Sequence, residues 1–227
     1  MNLRDFVPAS TLAQKYGVKI IGYGPPGGGK TPLMKTAPSA CLLVTEPGMM
    51  TMRDAHNIPA YPAFTFDRID QFKQMVIHNS NEIRQFDTIC IDSISQLAEI
   101  AVQHYMKKFS HGLKAYGAMS EFCMEFFDAL YFMPQKHVYL VCKETTVEVE
   151  GAMMRKPYFP GNDLNVKVPH RYDEVLHIGG HVIPGVAGLT PSIRTKQDFN
   201  TFARDRSGKL AEFEPMDLTA LINKAMA

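Results

Sequence analysis

The residues Gly24-Pro25-Pro26-Gly27-Gly28-Gly29-Lys30-Thr31 carry the most specific chemistry in the chain. They match G-x-x-x-x-G-K-[ST], the pattern of a loop that wraps a phosphate chain. Glycines let such a loop turn tightly, so that successive main-chain N–H groups face phosphate oxygens, and the N-terminus of the next helix adds positive dipole. In this reading Lys30 reaches the terminal phosphates, the Thr31 hydroxyl holds Mg²⁺, and Pro32 sits in a first helical turn, where proline is tolerated. A second motif lies downstream. Asp92 closes the apolar run Thr88-Ile89-Cys90-Ile91. Nucleotide hydrolases built on this loop need a carboxylate at such a strand end to position Mg²⁺ through water.

Hydrolysis also needs a group that orients water. Asp92 is followed by Ser93, so the arrangement in which a glutamate directly follows the metal carboxylate is absent. No asparagine ends the fourth strand either, and both points argue against an AAA+ machine. Glu46 offers the other arrangement, a glutamate at the tip of the strand that follows the phosphate-loop helix. In a doubly wound sheet the strand tips gather on one side, where Glu46 and Asp92 would face one γ-phosphate. A carboxylate one water away from the attacking oxygen supplies orientation and general-base character.

The elements that must hold these residues are legible in the apolar pattern. Val18–Tyr23 reads as the strand before the loop, Cys41–Thr45 as a second strand, Thr88–Asp92 as a third and Val138–Cys142 as a fourth. The third is apolar throughout, as strands of a parallel sheet covered on both faces are. Ile69–His78, Ser95–Lys108, Met119–Leu130 and Asp217–Ala225 read as helices. In the third of these Met119, Phe122, Cys123, Phe126, Phe127 and Leu130 form one apolar stripe. Thr145–Glu150 and Met153–Tyr158 flank Gly151 as a hairpin, and Val175–Ile178, Ser192–Thr195 and Thr201–Arg204 read as short strands. Strands alternating with helices, followed by antiparallel additions, predict one α/β domain with a mainly parallel sheet over residues 1–227, residues 1–16 being a lead-in.

Bulk properties narrow the function. A chain of 227 residues with 45% hydrophobic and 21% charged residues suits one globular core. Its net charge of +1 provides no global basic field, so any nucleic-acid contact must come from a local patch. The start of the chain does not read as a signal peptide, and no apolar run is long enough to span a bilayer, which predicts a cytoplasmic protein without membrane contact. Cys41, Cys90, Cys123 and Cys142 lie in apolar runs as reduced core thiols, and the eight histidines show no metal-ligand spacing.

With the loop at Lys30, the Thr45-Glu46 tip and the Asp92-Ser93 pair in hand, the chain resembles the RecA/RadA-type ATPases. It is most similar to small phage-encoded RecA-like proteins of recombination and single-strand annealing, notably in Thr201–Leu210. The resemblance implies a RecA-like P-loop core, ATP and Mg²⁺ as cofactors, and self-association into a ring or filament with ATP between subunits. It implies that Arg204 and Arg206, a [KR]-x-R motif, reach the neighbour's γ-phosphate. It implies that Arg53 stacks on adenine. Lys143 stands where relatives often carry a glutamine or histidine that senses the γ-phosphate, a departure that still permits a phosphate contact. The N-terminal Phe6-Val7-Pro8-Ala9 resembles an F-x-x-A subunit plug, a pattern that Phe126–Ala129 also matches.

The resemblance further implies two mobile DNA loops. Lys107–Gly117 and Met153–Tyr158 are the matching segments, with Lys107, Lys108, Lys114, Tyr116, Arg155 and Lys156 as candidate contacts; cations neutralise phosphates and aromatics stack on bases. Lys167, His170 and Arg171 would extend the patch. The expected activity is therefore an ATPase acting on single-stranded DNA in phage recombination or annealing, with a single-strand-binding protein as a further partner. The alternatives are a hexameric helicase or translocase, and an ATP-gated strand-binding module with little turnover.

Overall fold

The computed structural model describes residues 6–227. Of the lead-in, residues 1–5 lie outside the described part. Ten strands form one sheet: β1 (Lys19–Tyr23), β2 (Ala40–Val44), β3 (Ala60–Pro62), β4 (Thr88–Asp92), β5 (His137–Val149), β6 (Ala152–Tyr158), β7 (Glu174–Val182), β8 (Leu189–Arg194), β9 (Arg204–Asp205) and β10 (Phe213–Glu214). The order is β10-β8-β7-β1-β5-β4-β2-β3, with β6 on β5 and β9 on β7. From β7 to β3 every neighbouring pair is parallel, while β8, β10, β6 and β9 pair antiparallel. This is the expected mainly parallel sheet of a RecA-like P-loop core, flanked by helices and extended by antiparallel strands. β5 lies between the phosphate-loop strand β1 and the Asp92 strand β4, so the three tips stand side by side.

The helices are α1 (Ala9–Gln14), α2 (Lys30–Leu33), α3 (Phe66–Ile77), α4 (Asn81–Arg84), α5 (Ile94–Lys108), α6 (Gly112–Phe132), α7 (Asp163–Arg171) and α8 (Leu218–Met226). On one face the stripe of α6, with Phe122, Cys123, Phe126, Phe127 and Leu130, packs with Phe72 and Val76 of α3, Leu97 and Ala101 of α5, and Leu164 and Val168 of α7. Leu33, Met34, Leu218, Leu221 and Ile222 cover the other face. Burial of each such side chain contributes about 1.5–3 kcal/mol. All four cysteines are buried and unpaired. Among the described residues no helix is long and apolar enough to cross a membrane.

Several elements differ from the pattern-based expectation. The helix after the loop is a single turn, Lys30–Leu33, that tightens into a 3-10 turn over Met34–Thr36 before Pro38. Helix α6 begins at Gly112, so Lys114, Tyr116 and Gly117 are helical and the loop after α5 shrinks to 109–111. Ala115 and Met119, four apart and both buried, extend the α6 stripe backward and hold this turn. The second expected loop, Met153–Tyr158, is strand β6, joined to β5 by a turn with positive φ at both Glu150 and Gly151. Such a turn matches the twist of the flanking strands. Strand β3 and helix α7 carry weak signals, since β3 has three residues and α7 contains Pro169.

The end of the sheet away from the loop holds an unusual acid pair beside a cleft of about 380 Å³. Glu174 is buried, and its Oε2 has no hydrogen-bond donor. Burial and the neighbouring Asp205 push its carboxyl up to about 8, so at neutral pH a proton is shared between the two acids. Buried Lys19 close by is pushed down to about 8 by burial. The unfolded chain holds Glu174 near 4.5. The native state therefore binds the extra proton between those values, and its contribution to stability is full below about 4.5 and is lost as pH rises through 8. Glu174→Gln, which keeps a donor for Asp205, should be more stable than the parent at pH 9 by a few kcal/mol, each pKa unit carrying about 1.36 kcal/mol. The difference should vanish near pH 5. Urea unfolding at the two pH values measures it, and an equal effect at both would refute the shared proton.

Candidate functional site

β1 delivers the loop. Its last residue, Tyr23, is buried and pairs with Cys142 of β5 and His177 of β7, so the chain leaves the middle of the sheet with a fixed direction. The loop then lies flat on β7. A Cβ on Gly28 would stand 2.6 Å from the Ile178 carbonyl oxygen and 3.0 Å from that of Pro25, and one on Gly24 would clash with the Ile178 carbonyl as well. Gly28 N–H donates to Pro25 O at 3.1 Å and closes the turn. Gly29, at φ +99°, makes the left-handed step into α2. Tyr139 hydroxyl donates to Lys30 O, and the Leu218 amide donates to Thr36 Oγ1 at 2.8 Å, so β5 and the start of α8 brace the turn behind the loop.

Two side chains from this loop meet the acidic strand tips. Lys30 Nζ curls over the loop and donates to Gly24 O at 2.6 Å and Pro25 O at 2.7 Å. Thr31 hydroxyl donates to Asp92 Oδ2 at 2.6 Å. Asp92 is buried, which raises its carboxyl pKa; the Thr31 bond opposes that rise, the Glu46 charge adds to it and Lys30 opposes it. Burial pulls the Lys30 ammonium down, against the charges of Asp92, Glu144 and Glu46. Glu46 is half-buried and its charge acts on both groups, so it stands beside them at the β2 tip. The β2 and β4 tips are clamped together: Thr45 N–H donates to Asp92 O at 2.8 Å, Thr45 Oγ1 donates to Ser93 O and accepts from Ser93 N–H, each at 2.9 Å.

These residues fit a triphosphate with its cation. A hydroxyl and a carboxylate converge within 2.6 Å, a hard-oxygen donor set suited to Mg²⁺. Gly27, at positive φ with no heavy atom near its absent side chain, leaves the loop's outer face open. The first N–H groups of a helix lack intrahelical acceptors and serve as anion donors. The expected dipole contribution is small, because α2 is one turn long. The donors available to a phosphate chain are the loop amides and Lys30.

The other sequence candidates are distributed unequally. Arg53 is exposed on the segment after β2, next to Asp54, which pairs with Lys35 behind the loop. Lys143 does not present a free ammonium: it is held by Glu99 at 3.0 Å and Gln96 at 3.1 Å on α5. Arg204 is held within its own fold. Its guanidinium donates to Pro169 O at 2.6 Å and to Tyr172 O, and burial lowers its pKa. Arg206 binds Asp173 at 3.1 Å and His170 O at 3.0 Å. Both arginines lie where β7 begins, the opposite end of the sheet from the phosphate loop.

Lys107, Lys108, Lys114 and Tyr116 are exposed around the α5–α6 turn. Phe66, just past the β3 tip, stacks on His104 of α5 at 3.7 Å, which places this turn at the nucleotide end of the sheet. Arg155 bonds Asn200 Oδ1 at 3.0 Å and Thr201 Oγ1 at 2.8 Å, because β6 packs against the segment before β9. Lys156 lies over the Phe202 ring. Glu144 and His177 were not singled out by sequence. They join through Nε2 and Oε2 at 2.8 Å beneath the loop. Their only sequence signal is His177 and His181 on one strand face, which reads as unspecific.

The AAA_24 family model, described as AAA domain, matches residues 16–207. No curated protein is similar in sequence. Among solved structures, a KaiC-like protein from Pyrococcus horikoshii is similar at 12% identity over 79% of each chain, with a TM-score of 0.44. The flagellar accessory protein FlaH from Methanocaldococcus jannaschii is similar at 13% identity over 84% of each chain, with a TM-score of 0.41.

Gly28→Ala tests the loop's contact with β7. The added methyl must displace backbone rather than a flexible side chain. Affinity for a fluorescent ATP analogue should fall by at least about tenfold, or ~1.4 kcal/mol, while circular dichroism stays unchanged. Undiminished affinity would refute this packing.

Proposed function

The chain belongs to the AAA domain family and is a RecA-like P-loop ATPase, and we propose that it hydrolyses MgATP to act on single-stranded DNA in phage recombination or annealing. The observation that carries the nucleotide part is the Thr31–Asp92 contact at 2.6 Å, with Lys30 and Glu46 beside it. When bound, Mg²⁺ would neutralise charge developing on the phosphate oxygens. Thr31 and Asp92 would hold it, Asp92 through water. The loop amides and Lys30 orient the triphosphate, Lys30 exchanging the carbonyls of Gly24 and Pro25 for phosphate oxygens. Glu46, at a strand tip braced by Thr45, orients the attacking water and accepts its proton.

The DNA part is supported by the exposed Lys107, Lys108, Lys114 and Tyr116 around a turn at the nucleotide end of the sheet, and by the likeness of Thr201–Leu210 to phage RecA-like proteins. Arg155 no longer counts toward this surface. Self-association would bring Arg206 of one subunit toward the nucleotide of another; Arg206 is the half-exposed member of the pair.

Glu46→Gln should lower the steady-state ATPase rate about 10²- to 10³-fold while ATP affinity stays within about twofold, the range expected for loss of a general base. A variant that binds and hydrolyses like the parent would remove Glu46 from the chemistry. Replacing Lys107, Lys108 and Lys114 together by alanine should weaken oligo-dT binding and reduce the slope of log affinity against log salt by about 2, at about 0.7 per phosphate contact. An unchanged slope would move the DNA surface elsewhere.

A further inference from the structure

A buried chain of polar side chains runs beneath the phosphate loop and is not explained by the ATPase machinery. Glu144 Oε2 of β5 lies 2.8 Å from His177 Nε2 of β7. His177 Nδ1 lies 2.7 Å from His181 Nε2, and His181 Nδ1 lies 2.8 Å from Ser192 Oγ of β8. The Ser192 hydroxyl donates to Thr190 O at 3.1 Å. Tyr23, the last residue before the loop, sets its ring edge-on to His177.

The chain can run in two directions, and they differ in the number of protons they hold. When the Ser192 hydroxyl donates to Thr190 O, it accepts from His181 Nδ1–H. Neutral His181 then offers a bare Nε2, which His177 Nδ1–H must supply. A neutral His177 would therefore present a bare Nε2 to the Glu144 carboxylate, two acceptors face to face. One proton must lie between them, leaving imidazolium with carboxylate or imidazole with carboxylic acid. Without that proton the chain reverses. His177 Nε2–H donates to Glu144, His181 Nε2–H donates to His177, and the Ser192 hydroxyl turns from Thr190 O to His181. The two states differ by one proton, and solvent reaches it through Glu144, which is 18% exposed against 1% for His177.

The surroundings disfavour charge on His181. Burial pushes His181 down to about 4, helped by His177, Arg194 and Arg155 and opposed by Asp198. Around Glu144 and His177 stand Tyr23 on β1 and Lys30 on the loop, and Arg155 on β6 accepts the Tyr23 hydroxyl at its carbonyl. Phe213 of β10 covers His181. Asp92, Glu46 and an ionised Glu144 place three negative charges about the one ammonium of Lys30. A polyanion entering that site meets net repulsion, which one proton on the pair reduces by a full charge.

We propose that the Glu144–His177 pair takes up one proton from solvent when a triphosphate binds the loop, making His177 a positioning residue that sets the charge of the nucleotide site through Glu144. The inference rests on the reading of the loop as the ATP site. The proton adds to the pair, the hydrogen-bond chain takes the direction in which Ser192 donates to Thr190 O, and no bond other than N–H or O–H changes.

Isothermal titration of the full chain with Mg²⁺ and a non-hydrolysable ATP analogue, at pH 8 in buffers of different ionisation enthalpy, counts the protons. The parent should take up between about 0.5 and 1 proton per nucleotide, and its affinity should weaken by up to about tenfold per pH unit as the pH is raised above 8. Glu144→Gln, which carries the neutral acid's shape at a partly exposed position, should bind with no proton uptake and a flat pH profile. His177→Asn should also lose the uptake, and a shift in its unfolding temperature would report any packing defect separately. Zero uptake by the parent, or undiminished uptake by Glu144→Gln, overturns the proposal. Absence of binding heat in the parent would instead overturn the ATP reading, so the two failures are distinguishable.

Discussion

The site depends on a carboxylate that the fold has taken out of water. Asp92 ends a strand buried on both faces, and its desolvation favours the neutral acid. What opposes this is local: the Thr31 hydroxyl at 2.6 Å and the ammonium of Lys30. A charge held under such conditions is stabilised strongly by a cation, because few water dipoles compete for it. The surrounding structure keeps that carboxylate in register. The Thr45–Ser93 clamp fixes the tips of β2 and β4, and β5 stands between β4 and the loop strand.

The two ends of the sheet handle buried charge differently. At the loop end, acids from three neighbouring strand segments act on one lysine, an excess of negative charge that suits a metal-bound ligand. At the other end the charges meet partners within the fold: Arg206 binds Asp173, and Arg204 donates to two carbonyls through one nitrogen. Two buried atoms there stay without a partner, Arg204 Nε and Glu174 Oε2. Glu46, half-buried at the β2 tip, lies instead beside Lys30 and Asp92.

What the sequence revealed follows the same division. The loop, Asp92 and four buried strands were legible because each is local: a fixed spacing, or an apolar run that needs no partner to be recognised. The α6 stripe was legible from Met119 onward, but its first two turns read as loop, since glycines at 112 and 117 and exposed lysines outweigh the buried Ala115. The role of Arg155 depends on Asn200, 45 residues away, and that of Arg204 on carbonyls more than 30 residues away. Long-range satisfaction of donors leaves no trace in spacing. The Glu144–His177 contact, across 33 residues, is of the same kind.

The length of α2 connects these strands of argument. A long helix behind a phosphate loop would contribute a macrodipole of about half a charge. Here the helix is one turn, ended by a 3-10 turn and Pro38, and that contribution largely disappears. The positive side of the balance is then reduced to the loop amides, Lys30 and the metal. A site with so little fixed positive charge is sensitive to each nearby carboxylate. Glu144 is the one of the three with an imidazole partner, at 2.8 Å, and it is assigned to neither the metal nor the water. The buried histidines beneath the loop thus lie where a short helix leaves the electrostatics most exposed to a single proton.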